Sequence, residues 1–322
     1  MLDEFDLIAA YFAPLAQSPG ALGLSDDVAV LQTRGDVVVT ADALVEGVHF
    51  LPDDPLATVA RKLFRVNASD LIAKGALPIG VLLTLMWPRG RPTEQIAQFA
   101  AGLAAEQQNG FALLGGDTVS TPGPFSVSLT MIGRPLGARG PVLRSGAQPG
   151  DVVAVTGVIG DGYLGLQARL EQLDDIPAED RAALSLIYQV PLPPFGAEAA
   201  IARHATAALD VSDGLIADAG HLARRSGVRL EIMANAVPLS AQARGWLEKA
   251  ADRSLALGAL LTGGDDYQTL FAAPANAIEQ MRAEAPRVPI TVIGQCMAGQ
   301  GVAVVNADNI EMTLPKPGWR HF

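Results

Sequence analysis

The sequence predicts an α/β protein with α+β layers in two domains, and three observations support this prediction. First, the chain has 322 residues, roughly twice the usual length of one domain. Second, strand-like and helix-like segments alternate in both halves. Third, Gly133–Gly150 is rich in Gly, Pro and Arg and has little hydrophobic periodicity. We therefore expect an N-terminal domain over residues 1–137 and a C-terminal domain over 138–322.

The N-terminal domain is predicted to begin with a short amphipathic helix over residues 3–17. Runs of apolar residues between turn signals predict strands over 28–31, 37–40, 79–86, 111–114 and 125–132. A helical pattern covers 55–73, and a second helix runs from Thr93 to about Gln108. We expect Thr93, which Glu94 follows, to cap that second helix.

The C-terminal domain is predicted to start with a strand over residues 151–157. Helical patterns follow near 163–173, 178–188, 196–204 and 214–226. The longest uncharged stretch, 288–307, contains several glycines and polar residues, so it predicts strand, turn and strand rather than a membrane span. Cys296 lies in this stretch, and we expect it to be a small core residue.

The composition excludes several classes of protein. A hydrophobic fraction of 49% is enough to form a core in each domain, which excludes a disordered or fibrous chain. The net charge of −11 and pI of about 4.8 predict that the chain does not bind nucleic acid. A single cysteine excludes an internal disulfide. The acidic N-terminus is unlike a secretory signal, so we expect a cytoplasmic protein without a membrane partner.

Common catalytic motifs are absent from the sequence. None of the four lysines follows a glycine, which excludes a Walker-A loop, and no His-Glu-x-x-His occurs. The glycines of Gly160-Asp-Gly-Tyr-Leu-Gly165 match a dinucleotide-binding pattern. The expected second strand with its terminal acid does not follow about 20 residues later. We therefore interpret this match as a strand-to-helix turn.

Aspartates recur at the ends of apolar strands or beside glycines. They are Asp26, Asp27, Asp42, Asp70, Asp117, Asp210, Asp213, Asp265 and Asp266. Such carboxylates lose hydration and repel one another, so a cation should offset both effects. Arginine is one candidate, and Mg²⁺ ions that bridge a polyphosphate are the other. Any single member could instead be a helix cap or a turn residue.

The order of these motifs resembles one known family along the whole chain. The matching segments are 26–27, 40–50, 67–75, 115–118, 144–151, 156–161, 210–214 and 263–267. The series is similar to thiamine-monophosphate kinases, and Leu-Val-Glu-Gly-Val-His-Phe over 44–50 is its most specific segment. This family shares a superfamily with aminoimidazole ribonucleotide synthetase, selenophosphate synthetase and a hydrogenase-maturation enzyme.

The resemblance implies a two-domain fold like that of aminoimidazole ribonucleotide synthetase. It implies that the N-terminal domain binds ATP and Mg²⁺ and forms a homodimer interface, and that the C-terminal domain completes the active site. The implied reaction moves the γ-phosphoryl group of ATP to thiamine monophosphate and forms thiamine diphosphate, in the last step of its biosynthesis.

The resemblance also assigns roles to residues. Mg²⁺ would be held by Asp27, Thr40, Ala41, Asp42, Asp70, Asp117, Asp210 and Asp213, with Ala41 acting through its carbonyl. ATP would contact Gly116, Asp117, Arg144 and Ser212, and the thiamine part would contact His49, Asp265 and Trp319. The residues implied in catalysis are Asp42, Asp70 and Asp213.

The sequence departs from the family pattern at Ser25, Ala41, Asp265 and Gln268, where Gly, Thr, Glu and Glu are usual. Alternatives therefore remain for the function. They are another ATP-dependent enzyme of the superfamily, a non-catalytic sensor of nucleotide or thiamine phosphate, and a metal-dependent phosphohydrolase. At the level of residues, His49 could be a buried, hydrogen-bonded imidazole, and Trp319 could close the core.

Overall fold

A computed structural model describes residues 4–24, 31, 33, 35–173, 176–314 and 318. The chain divides into two compact units. The first comprises Met1–Leu71 and Leu77–Pro135, and the second comprises Ile72–Ala76 and Leu136–Phe322. The sequence placed a single boundary after residue 137 and did not predict that a short segment near residue 74 belongs to the second unit.

The first unit is a four-stranded sheet covered by helices on one face. Its strands are β1 (Val38–Val45), β2 (Ala76–Pro88), β3 (Leu113–Thr121) and β4 (Ser126–Pro135), in the order β1-β4-β2-β3. β1 and β4 pair antiparallel, and β2 and β3 pair parallel. Its helices are α1 (Glu4–Leu7), which continues as π- and 3₁₀-helix to Leu15, α2 (Leu56–Ala73) and α3 (Ile96–Glu106).

Close packing of α2 against α3 depends on a glycine and on a buried acid. A Cβ at Gly102 of α3 would collide with the backbone of Ala57 on α2. Glu106, at the end of α3, is fully buried. Its Oε1 accepts hydrogen bonds from Arg61 Nε at 2.8 Å and Arg65 Nε at 2.9 Å, both on α2. These contacts fix the two helices to each other.

Two details of the first unit differ from the sequence prediction. Thr93 does not cap α3, because a 3₁₀ turn over Thr93–Gln95 precedes the helix and no side chain caps either element. β3 does not end at Leu114. It continues through Gly116 and Asp117, because these residues stay in register with Leu83 and Thr84 of β2. Asp117 therefore lies within a strand and not in a glycine turn.

The second unit is a six-stranded sheet with helices on both faces. Its strands are β5 (Val152–Thr156), β6 (Ala207–Val211), β7 (Arg229–Met233), β8 (Gln268–Ala273), β9 (Ile290–Met297) and β10 (Gly301–Val305), in the order β10-β7-β9-β5-β8-β6. Its helices are α4 (Asp161–Arg169), α5 (Ala178–Gln189), α6 (Glu198–His204), α7 (Leu215–Ser226), α8 (Ala241–Lys249), α9 (Arg253–Thr262) and α10 (Ile278–Glu284). β9 and β10 confirm the predicted strand, turn and strand.

The directions of the strands bring three loops to the same end of this sheet's strands. β10 and β7 are parallel, and every other neighbouring pair is antiparallel. The loops after β5 and β6 and the loop before β8 therefore lie at the same end of the strands. Both faces of β5 are buried, since Val153 and Val155 pack on one side and Ala154 packs on the other. Cys296 is buried in the first of these clusters, as predicted.

Among the helices of the described residues, none is long and apolar enough to cross a membrane.

We expect Glu106→Ala to destabilise the protein by about 3–5 kcal/mol, because it leaves the buried Arg65 guanidinium without its carboxylate. Denaturant unfolding followed by circular dichroism measures this loss. Arg229→Ala is the matched control. It breaks the exposed pair between Arg229 and Glu311, which should contribute less than about 1 kcal/mol. Equal losses in the two variants would contradict the role assigned to Glu106.

Candidate active site

A pair of neighbouring carboxylates lies between β1 and α2. Thr40 and Asp42 alternate with the exposed Ala41 on β1, so both side chains face α2. The Thr40 hydroxyl donates to Asp70 Oδ2 at 2.5 Å. Burial, together with the charge of Asp70, raises the pKa of Asp42 to about 6. This arrangement disfavours two negative charges and creates an oxygen-rich position that suits a divalent cation.

The backbone of Asp42 is held on both sides by side chains. Its N–H donates to Asn67 Oδ1 at 3.1 Å, and its carbonyl accepts from Ser128 Oγ at 3.0 Å. Asn67 is fully buried, and its Nδ2 donates to Leu63 O at 2.8 Å. The position of the Asp42 peptide is thus fixed independently of its carboxylate.

His49 lies in the loop that follows β1, and α2 also holds this loop. His49 Nδ1 accepts the N–H of Val45 at 3.1 Å, so the imidazole carries any neutral-form proton on Nε2. The buried Lys62 of α2 donates from Nζ to His49 O at 3.0 Å. The ring is half-buried and hydrogen-bonded, as expected if His49 is a structural imidazole. Its contact with the thiamine part of the substrate stays a prediction.

Asp117 is not brought to the pair formed by Asp42 and Asp70. β3, which carries it, is at the opposite edge of the sheet from β1. Asp117 is in register with Thr84, which alternates with the buried Leu83 and Leu85. Its side chain therefore lies on the open face of the sheet, whereas Asp42 faces the helices. Gly116, beside it, has φ of +154°, and a Cβ there would collide with the backbone of β2.

In the second unit, the end of β6 and the loop after it contain three predicted site residues. Asp210 is buried at the end of β6, and Ser212 and Asp213 follow it. The N–H groups of Ser212 and Asp213 both donate to Asp218 Oδ2, at 3.0 and 3.1 Å. Burial and the charge of Asp213 raise the pKa of Asp218 to about 7. Asp218 of α7 thereby fixes the direction of the Asp213 backbone.

Positive charge is concentrated beside this loop. Burial is the main cause that lowers the pKa of His221 on α7, and the Arg144 guanidinium lowers it further. Burial raises the pKa of Asp218, and Arg144 partly opposes that rise. Arg224 adds to the effect on His221, and its Nη2 lies 3.1 Å from His221 Nδ1. Guanidinium groups beside a loop are well suited to binding phosphate oxygens.

The loop before β8 is attached to the loop after β6 by its backbone. The N–H of Asp265 donates to Ser212 O at 2.9 Å, and the N–H of Tyr267 donates to Val211 O at 2.7 Å. Asp265 and Tyr267 both adopt left-handed conformations, with φ of +61° and +51°. The Tyr267 hydroxyl donates to Asp265 Oδ1 at 2.9 Å. Unusual backbone geometry at two non-glycine residues is typical of functional sites.

Asp266 connects this loop to the turn after β5. Its carboxylate accepts the N–H of Gly160 at 2.9 Å and the N–H of Gly162 at 3.2 Å. Complete burial raises the pKa of Asp266 to about 8. The two glycines belong to the predicted dinucleotide-like match, and α4 begins between them at Asp161. The interpretation as a strand-to-helix turn is therefore confirmed.

Two predicted site residues, Asp27 and Trp319, lie outside the described residues. Gly318 is described, and a Cβ there would collide with Ala217 and with Asp213 O. The chain thus passes the Asp213 loop one residue before Trp319. Within the part of the chain that the structure describes, no three acidic, histidine or cysteine side chains form a metal-binding group.

Three residues to which the sequence analysis assigned no role share one property. Asn67, Asp218 and Asp266 are buried, and each accepts backbone N–H groups of a segment that carries predicted site residues. Asp266 was one of the recurring aspartates, and Asn67 and Tyr267 lie in segments that carry the family resemblance, but none of them was given a role. Asp218 and His221 were not selected, since neither stands in a known catalytic spacing.

We expect Asp266→Asn to weaken the dependence of stability on pH. The ordinary pKa of 3.8 is raised to about 8 in the fold, so the folded chain holds a proton that the unfolded chain has released. This stabilisation is present at low pH and is lost as the pH rises toward 8. Thermal unfolding at pH 5 and pH 8 without metal ions should show a larger loss for the wild type than for the variant.

The matched control is Asp308→Asn, which changes an exposed aspartate of the same unit. Its loss of stability between pH 5 and pH 8 should equal that of the wild type. Parallel curves for Asp266→Asn and the wild type would show that Asp266 does not bind a proton in this range.

Family models match both halves of the chain. The AIR synthase related protein N-terminal domain matches residues 25–134, and the AIR synthase related protein C-terminal domain matches residues 148–306. These matches confirm the predicted α/β two-domain fold. A hydrogenase maturation protein of Escherichia coli, HypE, has the same fold at 20% identity, with a TM-score of 0.74 over 98% of this chain and 99% of that chain.

Several relatives with higher sequence identity are thiamine-monophosphate kinases. The thiamine-monophosphate kinase of Caulobacter vibrioides is 42% identical over 99% of this chain and 90% of its own length. The structure of the Stenotrophomonas maltophilia K279a thiamine-monophosphate kinase is 37% identical and has a TM-score of 0.81, over 94% of this chain and 96% of that chain. AaThiL complexed with AMPPCP and TMP is 32% identical and has a TM-score of 0.78, over 99% and 97%. The chain belongs to the thiamine-monophosphate kinases, an enzyme family within the AIR synthase related proteins.

Proposed function

We propose that this chain transfers the γ-phosphoryl group of ATP directly to the phosphate of thiamine monophosphate, which forms thiamine diphosphate and ADP. Family membership supports this reaction, and so does the relative that was solved with AMPPCP and TMP. The observation that carries the proposal is the carboxylate pair of Asp42 and Asp70, with Thr40 bonded to one of its members.

The donor set at this pair fits Mg²⁺. The raised pKa of Asp42 reflects burial and unbalanced negative charge, which a hard cation would offset. We propose that several Mg²⁺ ions bind, and that Asp27, Thr40, the Ala41 carbonyl, Asp42 and Asp70 contact the ion at this pair. Asp117, Asp210 and Asp213 are proposed to contact Mg²⁺ ions other than the one at the pair. Bound Mg²⁺ would neutralise charge on the phosphoryl groups.

The proposed transfer is in line and uses no phosphoenzyme. The acceptor is a phosphate monoester with a second pKa of about 6, so it is largely ionised at neutral pH and needs no general base. The remaining task is to reduce repulsion between two anions. The residues proposed to contact ATP are Gly116, Asp117, Arg144 and Ser212. His49, Asp265 and Trp319 are proposed to contact thiamine monophosphate.

An acceptor-dependent assay tests this function. Protein, ATP and Mg²⁺ are incubated with thiamine monophosphate, free thiamine or no acceptor, and both thiamine diphosphate and ADP are measured. We expect equal amounts of the two products with thiamine monophosphate and none with EDTA. ADP without thiamine diphosphate would indicate a phosphohydrolase, and bound nucleotide without turnover would indicate a sensor.

Asp42→Asn and Asp70→Asn should each reduce turnover at least about 100-fold, because each removes negative charge at the proposed cation site. Circular dichroism should show an unchanged fold. Asp252→Asn is the control, since Asp252 is exposed and caps α9 through the N–H groups of Ser254 and Leu255. Near-normal rates in both site variants would contradict the assignment.

We also propose that two copies of the chain associate through the open face of the first sheet. Val39 is 57% exposed, Leu82 is 37% exposed and Val119 is 43% exposed. The strand registers place all three on the face opposite the buried Leu83. Exposed apolar side chains on one face of a sheet are typical of a covered surface, and a second copy is the partner that the family resemblance implies. A cytoplasmic location stays a prediction of the sequence.

Leu82→Glu should convert the dimer to a monomer, because it places a charge in the centre of the proposed interface. Light scattering coupled to size-exclusion chromatography measures the mass directly. The control is Leu186→Glu on α5, where the leucine is 54% exposed in the second unit. This control should stay dimeric, and a monomeric wild type would refute the proposed interface.

A further inference from the structure

The backbone of Asp42 lies on an outer strand of the first sheet as the described residues form it. Among those residues, β1 ends the sheet order and pairs with β4. A strand with one neighbour leaves every second pair of backbone groups without a strand partner. At Asp42 two side chains take that place, since Asn67 accepts the N–H and Ser128 donates to the carbonyl.

Asn67 is suited to this contact because its side-chain amide has both an acceptor and a donor. The backbone N–H of Asp42 requires an acceptor, so the Asn67 oxygen faces β1. The amide nitrogen then faces the carbonyl of Leu63, four residues earlier on α2, at 2.8 Å. The side chain is fully buried and both of its polar atoms are bonded. A residue without an acceptor at this position would leave the Asp42 N–H unsatisfied, which is costly.

Two contacts therefore join β1 to α2 at the carboxylate pair, and they differ in kind. Thr40 donates to the carboxylate of Asp70, and both groups are proposed to contact the cation, so this contact changes when the cation binds. Asn67 bonds to the Asp42 backbone and uses neither carboxylate. Asn67 and Asp70 are three residues apart and lie on one face of α2. The hydrogen bond between Asn67 and the Asp42 backbone can therefore persist whether or not a cation is bound to the two carboxylates.

We propose that Asn67 is a positioning residue that holds the carboxylates of Asp42 and Asp70 close enough to share a divalent cation. The two groups repel each other when both are ionised, and the hydrogen bond from the strand to α2 resists their separation. Asn67 touches neither substrate nor cation in this account. The proposal rests on the cation-dependent function proposed above and identifies what prepares the chain for that cation.

Binding of Mn²⁺, measured by isothermal titration calorimetry without nucleotide or thiamine monophosphate, tests the proposal. Mn²⁺ accepts the same oxygen ligands as Mg²⁺. Asn67→Ala should weaken Mn²⁺ binding at least about tenfold, as is usual when a residue behind a metal ligand is lost. The matched control is Asn109→Ala. This change removes the hydrogen bond that Asn109 Nδ2 donates to Glu106 Oε2 at 2.8 Å in the same unit. The Mn²⁺ affinity of this control should stay at the wild-type value.

Hydrogen exchange of the β1 backbone provides a second measurement that is independent of any ligand. The amide of Asp42 should exchange faster in Asn67→Ala than in the wild type and at the wild-type rate in Asn109→Ala. If Asn67→Ala fails to fold, Ser128→Ala is used instead, because it removes the hydrogen bond to the backbone carbonyl of Asp42. We expect about threefold weaker Mn²⁺ binding in that variant, in line with one lost hydrogen bond.

Three outcomes would overturn the proposal. They are wild-type Mn²⁺ affinity in Asn67→Ala or in its substitute Ser128→Ala, an equal loss in Asn109→Ala, and a wild type that binds no Mn²⁺. A wild type that binds Mn²⁺ but forms no thiamine diphosphate contradicts the proposed function alone.

Discussion

Repulsion between partly buried carboxylates is the constraint on which both units depend. Asp42 faces Asp70 in the first unit, and Asp213 faces Asp218 in the second. In each case burial and a neighbouring charge raise a pKa toward neutrality, so the fold keeps acids where ionisation is costly. Such an arrangement is unfavourable for stability alone. It becomes reasonable if divalent cations and anionic substrates occupy the site during function.

The fold holds these acids in place through their backbone. Asn67, Asp218 and Asp266 are buried side chains that accept N–H groups from the segments around the site. Because the contacts use backbone atoms, the functional carboxylates stay available for cations and substrate. In the second unit, three loops lie at the same end of the strands. Asp266 and the backbone hydrogen bonds from the N–H groups of Asp265 and Tyr267 connect these loops.

The sequence predicted the two-domain α/β fold and most helices, because periodicity carries that information. Asp42 and Asp70 were selected as catalytic residues through the family resemblance, and their proximity was not predicted. The sequence did not predict the face of Asp117, which depends on the sheet order and on the register of β2 with β3. The role of Asn67 was also hidden, since its partner Asp42 lies 25 residues away. Thr93 has the residue type of a cap, but a 3₁₀ turn precedes the helix and the capping bond is not formed.

The central claim is that the pair of Asp42 and Asp70 is a cation site. The most direct measurement is a carbon-13 NMR titration of the Asp42 carboxyl group in selectively labelled protein, assigned with Asp42→Asn. Without metal ions the pKa should be about 6, and saturating Mg²⁺ should move it below the ordinary value of 3.8. A pKa that stays the same with and without Mg²⁺ would contradict the account.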